Sequence, residues 1–226
     1  MLQLDSPAAH STPSAPPPPA LRSFYARHAK RWFDAVVALL ALLILAPVLV
    51  ALSLGVLLSS GLPVFFRQER TGLRGSSFRI WKFRSMRNST SAPGPLVTAS
   101  GDSRVTPFGR WLRRTKCDEL PQLFNVLFGE MSLVGPRPEV PLYTREFTSD
   151  QRRVFLVRPG ITGPTATTFI SEEDLLASQP DKDAYYRNVL LPAKLAGDLE
   201  YIRSLAFNTD LKLIANTVSR LLLKSS

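Results

Sequence analysis

The longest apolar run of the chain lies close to its beginning. From Ala35 to Leu58 the sequence reads AVVALLALLILAPVLVALSLGVLL, which is 24 residues without a charged side chain. A straight helix of that length would reach about 36 Å, at roughly 1.5 Å per residue, and the hydrocarbon core of a bilayer is about 30 Å thick. The pattern therefore predicts a membrane helix, which together with its basic flank occupies residues 23–60.

Two features of this segment argue against a helix that simply crosses the bilayer. Pro47 lies near the middle, where it removes one backbone hydrogen bond and clashes with the preceding turn. Cations, which mark the cytoplasmic side, are found at both ends. They are Arg22, Arg27, Lys30 and Arg31 before the run and Arg67, Arg70, Arg74, Arg79, Lys82, Arg84 and Arg87 after it. The sequence favours a re-entrant helix, broken at Pro47, over a spanning helix, and over a signal peptide, for which the run is too long.

After the membrane segment the pattern changes to short alternating runs. Phe78, Ile80 and Trp81 lie among basic residues in FRIWKFRSM, and Gly72 and Gly75 precede them. Alternation of this kind, next to glycines that permit a turn, predicts a short pair of strands.

A second amphipathic stretch, TPFGRWLRRTKC, follows. Its apolar face consists of Phe108, Trp111, Leu112 and Thr115, and four cations surround the rest. A cationic amphipathic helix with a tryptophan at its edge suits the lipid headgroup zone. An ordinary surface helix that covers a core is the alternative left open.

Two adjacent acids, Asp118 and Glu119, come next. Apolar residues recur after them at helical spacing, at Leu120, Leu123, Phe124 and Leu127. Because Pro121 is tolerated only in a first turn, the acidic pair is predicted to open a helix, whose free N–H groups attract carboxylate and phosphate. Neighbouring helical positions point in different directions, so one acid can attack phosphorus while the other holds Mg²⁺. A simple N-cap role for Asp118 remains the alternative.

Two later loops present arginines on stiff backbone. Arg137 stands between two prolines in GPRPE, and Arg158 precedes proline in VRPGITG. The planar guanidinium suits phosphate, and Gly160 and Gly163 are expected to let the backbone approach a ligand. Together with the acidic pair, these loops predict a diphosphate site.

The charge is divided unevenly along the chain. The net charge of the 226 residues is +10, but residues 1–116 hold 16 Lys and Arg against 4 Asp and Glu, and residues 117–226 hold 12 against 14. An excess of positive charge in the first half indicates an anionic partner, such as lipid headgroups, nucleic acid or a phosphorylated small molecule. Residues 1–22 are predicted to be a disordered Pro/Ala-rich tail. With Cys117 as the single cysteine, an internal disulfide is excluded.

Five motifs in this order resemble the bacterial sugar transferase family, the monotopic phosphoglycosyl transferases. They are FRQERTG, FRIWKFRSM, DELPQLFNVLFGEMSLVGPRPE, VRPGITG and DLEYIRSLAFNTDLKLI, between Lys30 and Asn216. The resemblance implies transfer of a sugar 1-phosphate from a UDP-sugar to a polyprenol phosphate of the undecaprenyl type. UMP is released, and a covalent aspartyl phosphosugar is the intermediate. Such a reaction initiates a surface glycan.

The resemblance also implies roles for particular residues. Asp118 matches the nucleophile, and Glu119 matches its partner, which is associated with Mg²⁺. Residues expected to bind substrate are Lys82, Arg113, Arg137, Arg158 and Asp198.

The chain departs from the family pattern in three places. Ala46 precedes Pro47, where a serine is common, so no hydroxyl is available for the freed carbonyls. PTATTF follows PGITG in place of a stretch that contains tryptophan. Residues 171–197, SEEDLLASQPDKDAYYRNVLLPAKLAG, are interpreted as an acidic surface helical extension. With no multi-span region before the membrane helix, a minimal catalytic form is expected.

The predicted fold is therefore α+β and mostly helical: a membrane-associated catalytic domain, residues 61–226, with a re-entrant membrane helix and amphipathic interfacial helices. It is expected at the cytoplasmic face of a bacterial inner membrane, in contact with lipid. The alternative function is a basic membrane adaptor that binds anionic lipid without catalysis. Nucleic acid is disfavoured because aromatic and basic residues do not form a recognisable platform. The identity of the sugar and the formation of a homo-oligomer are left open.

Overall fold

The computed structural model describes residues 16–87, 102–165 and 172–224. The helices are α1 (Lys30–Ser60), α2 (Pro107–Thr115), α3 (Gln122–Phe128), α4 (Pro141–Thr144), α5 (Glu172–Ala177), α6 (Lys182–Tyr185), α7 (Leu191–Arg203) and α8 (Phe207–Lys224). The strands are β1 (Phe65–Thr71), β2 (Ser77–Phe83), β3 (Ser132–Val134) and β4 (Gly160–Thr162). Short 3₁₀ turns cover Pro19–Arg22, Leu73–Gly75, Cys117–Glu119 and Gln151–Leu156, and π turns cover Tyr25–Ala29 and Tyr186–Leu190. The expected α+β, mostly helical composition is confirmed.

The apolar run near the beginning forms one helix. Together with the π turn before it, α1 is long and apolar enough to cross a membrane by length and composition. The chain remains helical at Pro47, because α1 continues through this proline to Ser60. A re-entrant path therefore requires a bend within one continuous helix, for which a proline is the usual cause, and not the predicted break. Large apolar side chains cover its outer face: Leu43 is 65% exposed and Ile44 is 74% exposed. An apolar surface of this extent indicates contact with lipid or with another protein.

The inner face of α1 is part of the core on both sides of Pro47. Ala38 and Leu42 pack in a cluster with Ile80 of β2 and with residues of α3. Further along, Leu52 and Val56 pack in a second cluster with Phe83 of β2 and Leu112 of α2. The predicted domain boundary at residue 60 is therefore not a boundary of packing.

A glycine permits the closest approach between α1 and α2. A Cβ atom at Gly55 would lie 2.5 Å from Cζ of Phe108, which is shorter than any carbon contact allows. The Phe108 ring stacks in turn on Trp111, with 5.6 Å between the ring centroids. Trp111 is 47% exposed, whereas Leu112 is fully buried. A helix is thus present where the amphipathic helix is predicted, and it lies against α1. Its place in the lipid headgroup zone stays a prediction.

The predicted strand pair is also present. Strands β1 and β2 are antiparallel, with Phe65 opposite Phe83 and Thr71 opposite Ser77. Phe78 and Ile80 are buried on one face of the hairpin. Because side chains alternate along a strand, Lys82 lies on the same face as these two residues.

The interpretation of residues 171–197 as a surface extension is wrong. Leu176, Tyr186, Leu190 and Leu195 belong to the largest buried cluster, and each is at most 4% exposed. Although the segment contains many acidic residues, its apolar residues recur at helical spacing, and these form part of the core below the loop of Arg137. The segment is an integral part of the domain.

The tail is shorter than predicted. Pro19–Arg22 form a 3₁₀ turn, and Ala20 and Leu21 pack against the largest cluster. Two apolar side chains are sufficient to attach this turn, although its composition is typical of disorder. Residues 1–15 lie outside the described part of the chain.

Buried charges connect the start of α1 to the rest of the domain. The Asp210 carboxylate in α8 is fully buried and accepts hydrogen bonds from Tyr25, Lys30 and Tyr201. Asp34 accepts a 2.7 Å hydrogen bond from the hydroxyl of Ser132 at the start of β3. Lys30 therefore does not face lipid headgroups, as its place in the basic flank had indicated, but forms part of an internal ion pair.

We expect Asp210→Ala to destabilise the protein strongly, because it leaves the Lys30 ammonium buried without its partner. Loss of one member of a buried pair costs about 3–5 kcal/mol, or roughly 10 °C in Tm for a chain of this size. Thermal unfolding in lipid nanodiscs checks this value, with Asn208→Ala, an exposed position of the same helix, as the control. Equal melting temperatures for the two variants would contradict the role of this ion pair.

Candidate active site

The acidic pair lies where two helices meet. Helix α2 ends at Thr115, the following Lys116 has a left-handed φ of 58°, and the chain turns directly into the 3₁₀ turn Cys117–Glu119. Pro121 is the residue before α3. The pair thus does not occupy the first turn of the α-helix, as predicted, but the 3₁₀ turn that precedes it. The two side chains point in different directions in this turn, and they have different surroundings.

Asn125 connects the acidic pair to the hairpin. Its side-chain oxygen accepts the backbone N–H of Trp81 at 3.0 Å, and its side-chain nitrogen donates to the carbonyl of Arg79 at 2.9 Å. This fully buried amide thus pairs with the free edge of β2 as a further strand would. It fixes the distance between α3, which follows the acids, and Lys82 on β2.

Glu119 is the centre of a charge cluster. The Lys82 ammonium lies 2.7 Å from its Oε1, and Nη2 of Arg137 lies 3.3 Å from the same oxygen. Two cations therefore share one carboxylate oxygen. The three residues come from β2, from the turn before α3 and from the loop after β3, so the fold brings together positions far apart in the sequence.

Asp118 is buried without a cation bonded directly to it in this way. The residue is 8% exposed, and its Oδ1 has no hydrogen-bond partner among the described residues. Leaving a buried polar atom without a partner is costly, and it commonly marks a site that a substrate or an ion completes. The proposed N-cap role is absent, because no side-chain cap is formed at either the 3₁₀ turn or α3.

The two acids consequently differ in acidity. Burial raises the pKa of Asp118 from 3.8 to about 6, against the opposing effect of the Lys82 ammonium. Burial would also raise the pKa of Glu119, but Lys82 and Arg137 outweigh it and hold this pKa well below its usual range. Glu119 is therefore a permanent anion, and Asp118 ionises near neutral pH. The contribution of Asp118 to stability is complete below pH 3.8 and is lost as the pH rises through about 6.

Two more of the predicted residues belong to this cluster. The Arg113 guanidinium lies close enough to Asp118 to lower its pKa. Asp198 of α7 accepts the backbone N–H of Arg137 and contacts the Thr165 hydroxyl at 3.5 Å. Burial raises the pKa of Asp198 to about 7. The Asp198 carboxylate thus holds the backbone of the loop that carries Arg137.

Arg158 is not brought into the cluster. Its Nε donates to the carbonyl of Gly129 at 2.8 Å, and Gly129 lies at the opposite end of α3 from the acids. Arg31 is at the same end, donating to the carbonyls of Val126 and Leu127 at 2.7 and 2.8 Å. Both cations therefore neutralise the negative end of the helix. The predicted role of Arg158 in substrate binding has no support from these contacts.

The glycines of PGITG allow close packing of two backbone segments. A Cβ at Gly160 would lie 2.1 Å from the nitrogen of Gly135, and one at Gly163 would lie 2.4 Å from the oxygen of Gly135. Strands β3 and β4 are parallel here, and only glycine allows this approach. The close pairing fixes the loop that carries Arg137.

A narrow cleft with a free volume of about 10 Å³ opens beside the cluster. It is lined by Arg70, Ile80, Lys82, Gln122, Arg137, Pro138 and Gly160. Arg70 and Gln122 were not predicted as site residues, although both lie in the motifs quoted above. Strand alternation could have identified Arg70, since it shares a face of the hairpin with Lys82 in the observed register.

The site fits Mg²⁺ by its donor chemistry. Among the described residues, no three His, Cys, Asp or Glu side chains form a group that could hold a metal by themselves. Mg²⁺, however, is commonly bound by one or two carboxylates together with substrate phosphates. The adjacent carboxylates and the unpartnered Asp118 oxygen meet this requirement.

Comparison with known proteins identifies the family. The model of the bacterial sugar transferase family matches residues 25–224. The chain belongs to the bacterial sugar transferase family. The match covers both the long apolar helix α1 and the charge cluster, so the resemblance seen in the motifs extends from the π turn before α1 to the end of α8.

Three relatives illustrate the range of the family. An undecaprenyl-phosphate glucose phosphotransferase from Komagataeibacter xylinus is 42% identical over 84% of this chain and 35% of its own length. An N-acetylgalactosaminephosphotransferase acting on undecaprenyl phosphate, from Aeromonas hydrophila, is 38% identical over 70% of this chain and 38% of its own length. An exopolysaccharide production protein from Rhizobium leguminosarum bv. phaseoli is 37% identical over 84% of this chain and 92% of its own length. The chain therefore spans little more than a third of the first two relatives and nearly all of the third.

We expect Lys82→Met to raise the pKa of Asp118, because Lys82 is the main charge that opposes the effect of burial. A nearby opposite charge typically changes a carboxyl pKa by about 1–3, so a rise of about 1 is the minimum expected. Isotope-edited infrared titration of aspartate carboxyls measures it, with Asp118→Asn to assign the band. Arg79→Met, an exposed position on the other face of β2, is the control. An unchanged midpoint in Lys82→Met would refute the electrostatic assignment.

Proposed function

We propose that this member of the family transfers a sugar 1-phosphate from a UDP-sugar to a polyprenol phosphate of the undecaprenyl type, releasing UMP. The observation that carries the proposal is the buried, unpartnered Asp118 oxygen beside a Glu119 whose charge two cations already neutralise. One acid is thus free to react, and the other is fixed. The names of the relatives support the reaction class, since two of them are undecaprenyl-phosphate sugar phosphotransferases.

The proposed reaction consists of two displacements at one phosphorus atom. In the first, the Asp118 carboxylate attacks the phosphorus attached to the sugar, the bond to the bridging oxygen of the diphosphate breaks, and UMP leaves with that oxygen. In the second, a phosphate oxygen of the polyprenol phosphate attacks the same phosphorus, and the bond to Asp118 breaks. The product is a polyprenol diphosphate sugar, and the carboxylate is regenerated.

The surrounding charges suit these displacements. An anion that attacks a diphosphate is repelled, and cations placed around the equatorial oxygens offset this repulsion. Lys82, Arg113 and Arg137 are the cations assigned to this role, and Asp198 holds the backbone of Arg137. Glu119 would hold Mg²⁺, whose charge offsets that of the diphosphate. Arg158 is omitted, because its contact is with Gly129.

The alternative of a basic adaptor is disfavoured by where the cations point. Lys82 and Arg137 are directed at a carboxylate inside a cleft, whereas an adaptor for anionic lipid requires cations that remain at the surface. An Asp118→Asn variant separates the two functions, since lipid binding does not depend on this carboxylate.

We further propose that α1 is re-entrant and that both of its ends lie at the cytoplasmic face of the bacterial inner membrane. Two contacts support this topology. Arg31 near the first turn binds the end of α3, and the Arg84 guanidinium binds backbone carbonyls at and just after the last turn. Both ends of the helix are therefore attached to one domain. The exposed apolar face between them is available to one leaflet, and the half-exposed Trp111 suits its interface.

The covalent route predicts an adduct that forms without acceptor. Incubation with Mg²⁺ and either UDP-glucose or UDP-N-acetylgalactosamine should increase the intact mass by one sugar phosphate and release one equivalent of UMP. Addition of polyprenol phosphate should then remove the adduct. Asp118→Asn should form none, whereas Glu119→Gln should form it slowly, because Glu119 is not the nucleophile. UMP release that strictly requires acceptor, with no adduct, would show that both substrates react in a single step.

The re-entrant topology predicts that both ends of α1 are inaccessible from outside the cell. Ser23→Cys and Ser76→Cys, both exposed, are placed singly in a Cys117→Ser background. Neither should react with a membrane-impermeant maleimide in intact cells, and both should react after permeabilisation. Reaction of one position alone in intact cells would instead establish a spanning helix.

A further inference from the structure

Arg70 occupies the same cleft as the proposed phosphate-binding cations. It lies on β1 and lines the cleft with Lys82, Gln122 and Arg137. The register of the hairpin places Arg70 opposite Phe78 and Phe66 opposite Lys82, so Arg70 and Lys82 project from one face of two adjacent strands. This face is directed towards the acidic pair and the loop of Arg137.

The Arg70 guanidinium uses only part of its hydrogen-bonding capacity within the protein. Its Nη1 donates to the carbonyl of Pro138 at 3.0 Å, and its Nη2 donates to the side-chain oxygen of Gln68 at 2.7 Å. Its Nε is buried and has no partner among the described residues. A buried donor without a partner is costly, and Nε together with an Nη is the edge with which arginine binds two oxygens of one phosphate.

The local charge also favours an anion. Burial lowers the pKa of Arg70, and the charge of Arg137 lowers it further, against the opposing effect of Glu139. Arg137 and Lys82 already share Glu119. The nearest carboxylate to Arg70 is Glu139, whose Oε2 is 3.9 Å from Nη1, and Glu139 is also bound by the Tyr186 hydroxyl at 2.7 Å. No carboxylate in the described part of the site is thus committed to Arg70 alone.

We infer that Arg70 is a further substrate-binding residue, whose guanidinium binds phosphate oxygens in the cleft beside Arg137. The inference rests on the proposed function, because it assigns the anion to a substrate of that reaction. The phosphate can belong to the nucleotide diphosphate or to the polyprenol phosphate, since both proposed displacements take place at the same phosphorus atom. The bond from Arg70 to Pro138 holds the guanidinium next to the loop that presents Arg137.

The test compares Arg70→Gln and Arg70→Lys with the wild type in nanodiscs, and Arg79→Gln is the matched control on the exposed face of the neighbouring strand. The first arm measures the affinity for UDP and for uridine. Arg70→Gln should weaken UDP binding by about tenfold or more, in line with the loss of a charge-assisted hydrogen bond. Uridine binding should be unchanged, whereas a general distortion of the site would weaken it as well. Arg70→Lys should recover only part of the affinity, because it restores the charge but not the fork.

The second arm measures how fast polyprenol phosphate discharges the preformed adduct. A loss in the first arm alone identifies the nucleotide as the ligand of Arg70, and a loss in the second arm alone identifies the lipid phosphate. Normal UDP affinity and normal discharge in Arg70→Gln would overturn the inference. If Arg70→Gln does not fold, the same two results in Arg70→Lys decide. A wild-type protein that binds UDP no better than uridine and forms no adduct would refute the proposed function itself.

Discussion

The carboxylate of Glu119 is the constraint on which the rest of the site depends. An ionised carboxylate in the interior is stable only if it is paired and hydrogen-bonded, and Lys82 and Arg137 both bind its Oε1. These cations come from a strand before the acidic pair and a loop after it. The hairpin, the Asn125 connection and the paired strands β3 and β4 must all be formed before the three charges meet. The same arrangement leaves Oδ1 of the neighbouring Asp118 buried without a hydrogen-bond partner among the described residues.

The long apolar helix α1 is a structural part of the domain that contains the charge cluster. Its inner face contributes to two core clusters, and its first turns are tied by Lys30 and Asp34 to α8 and β3. Strand β3 leads directly into the loop of Arg137. A displacement of α1 would thus be transmitted to the loop of Arg137 through buried ion pairs and hydrogen bonds, and not through a flexible linker.

Several cations in the first half of the chain bind groups inside the protein, which the net charge of this half does not indicate. Lys30 and Arg84 are less than 9% exposed, and Arg31 and Arg84 bind carbonyls at the ends of helices α3 and α1. Cations at such positions offset the negative ends of helices. A count of charges cannot separate these residues from those that face phosphate or lipid, because the distinction depends on which carbonyls and carboxylates lie nearby in space.

The sequence by itself determined the long apolar helix, the strand pair, the short cationic helix α2 and the acidic pair with its arginine loop, because each depends on local periodicity or on motifs that remain intact over a few residues. The tertiary structure alone decided that residues 171–197 belong to the core, that Arg158 serves the end of α3 and that Arg70 enters the cleft. These outcomes depend on contacts between residues distant in the chain. The local pattern of residues indicates which face of an element is apolar or charged, but only the packed fold shows which residues that face contacts.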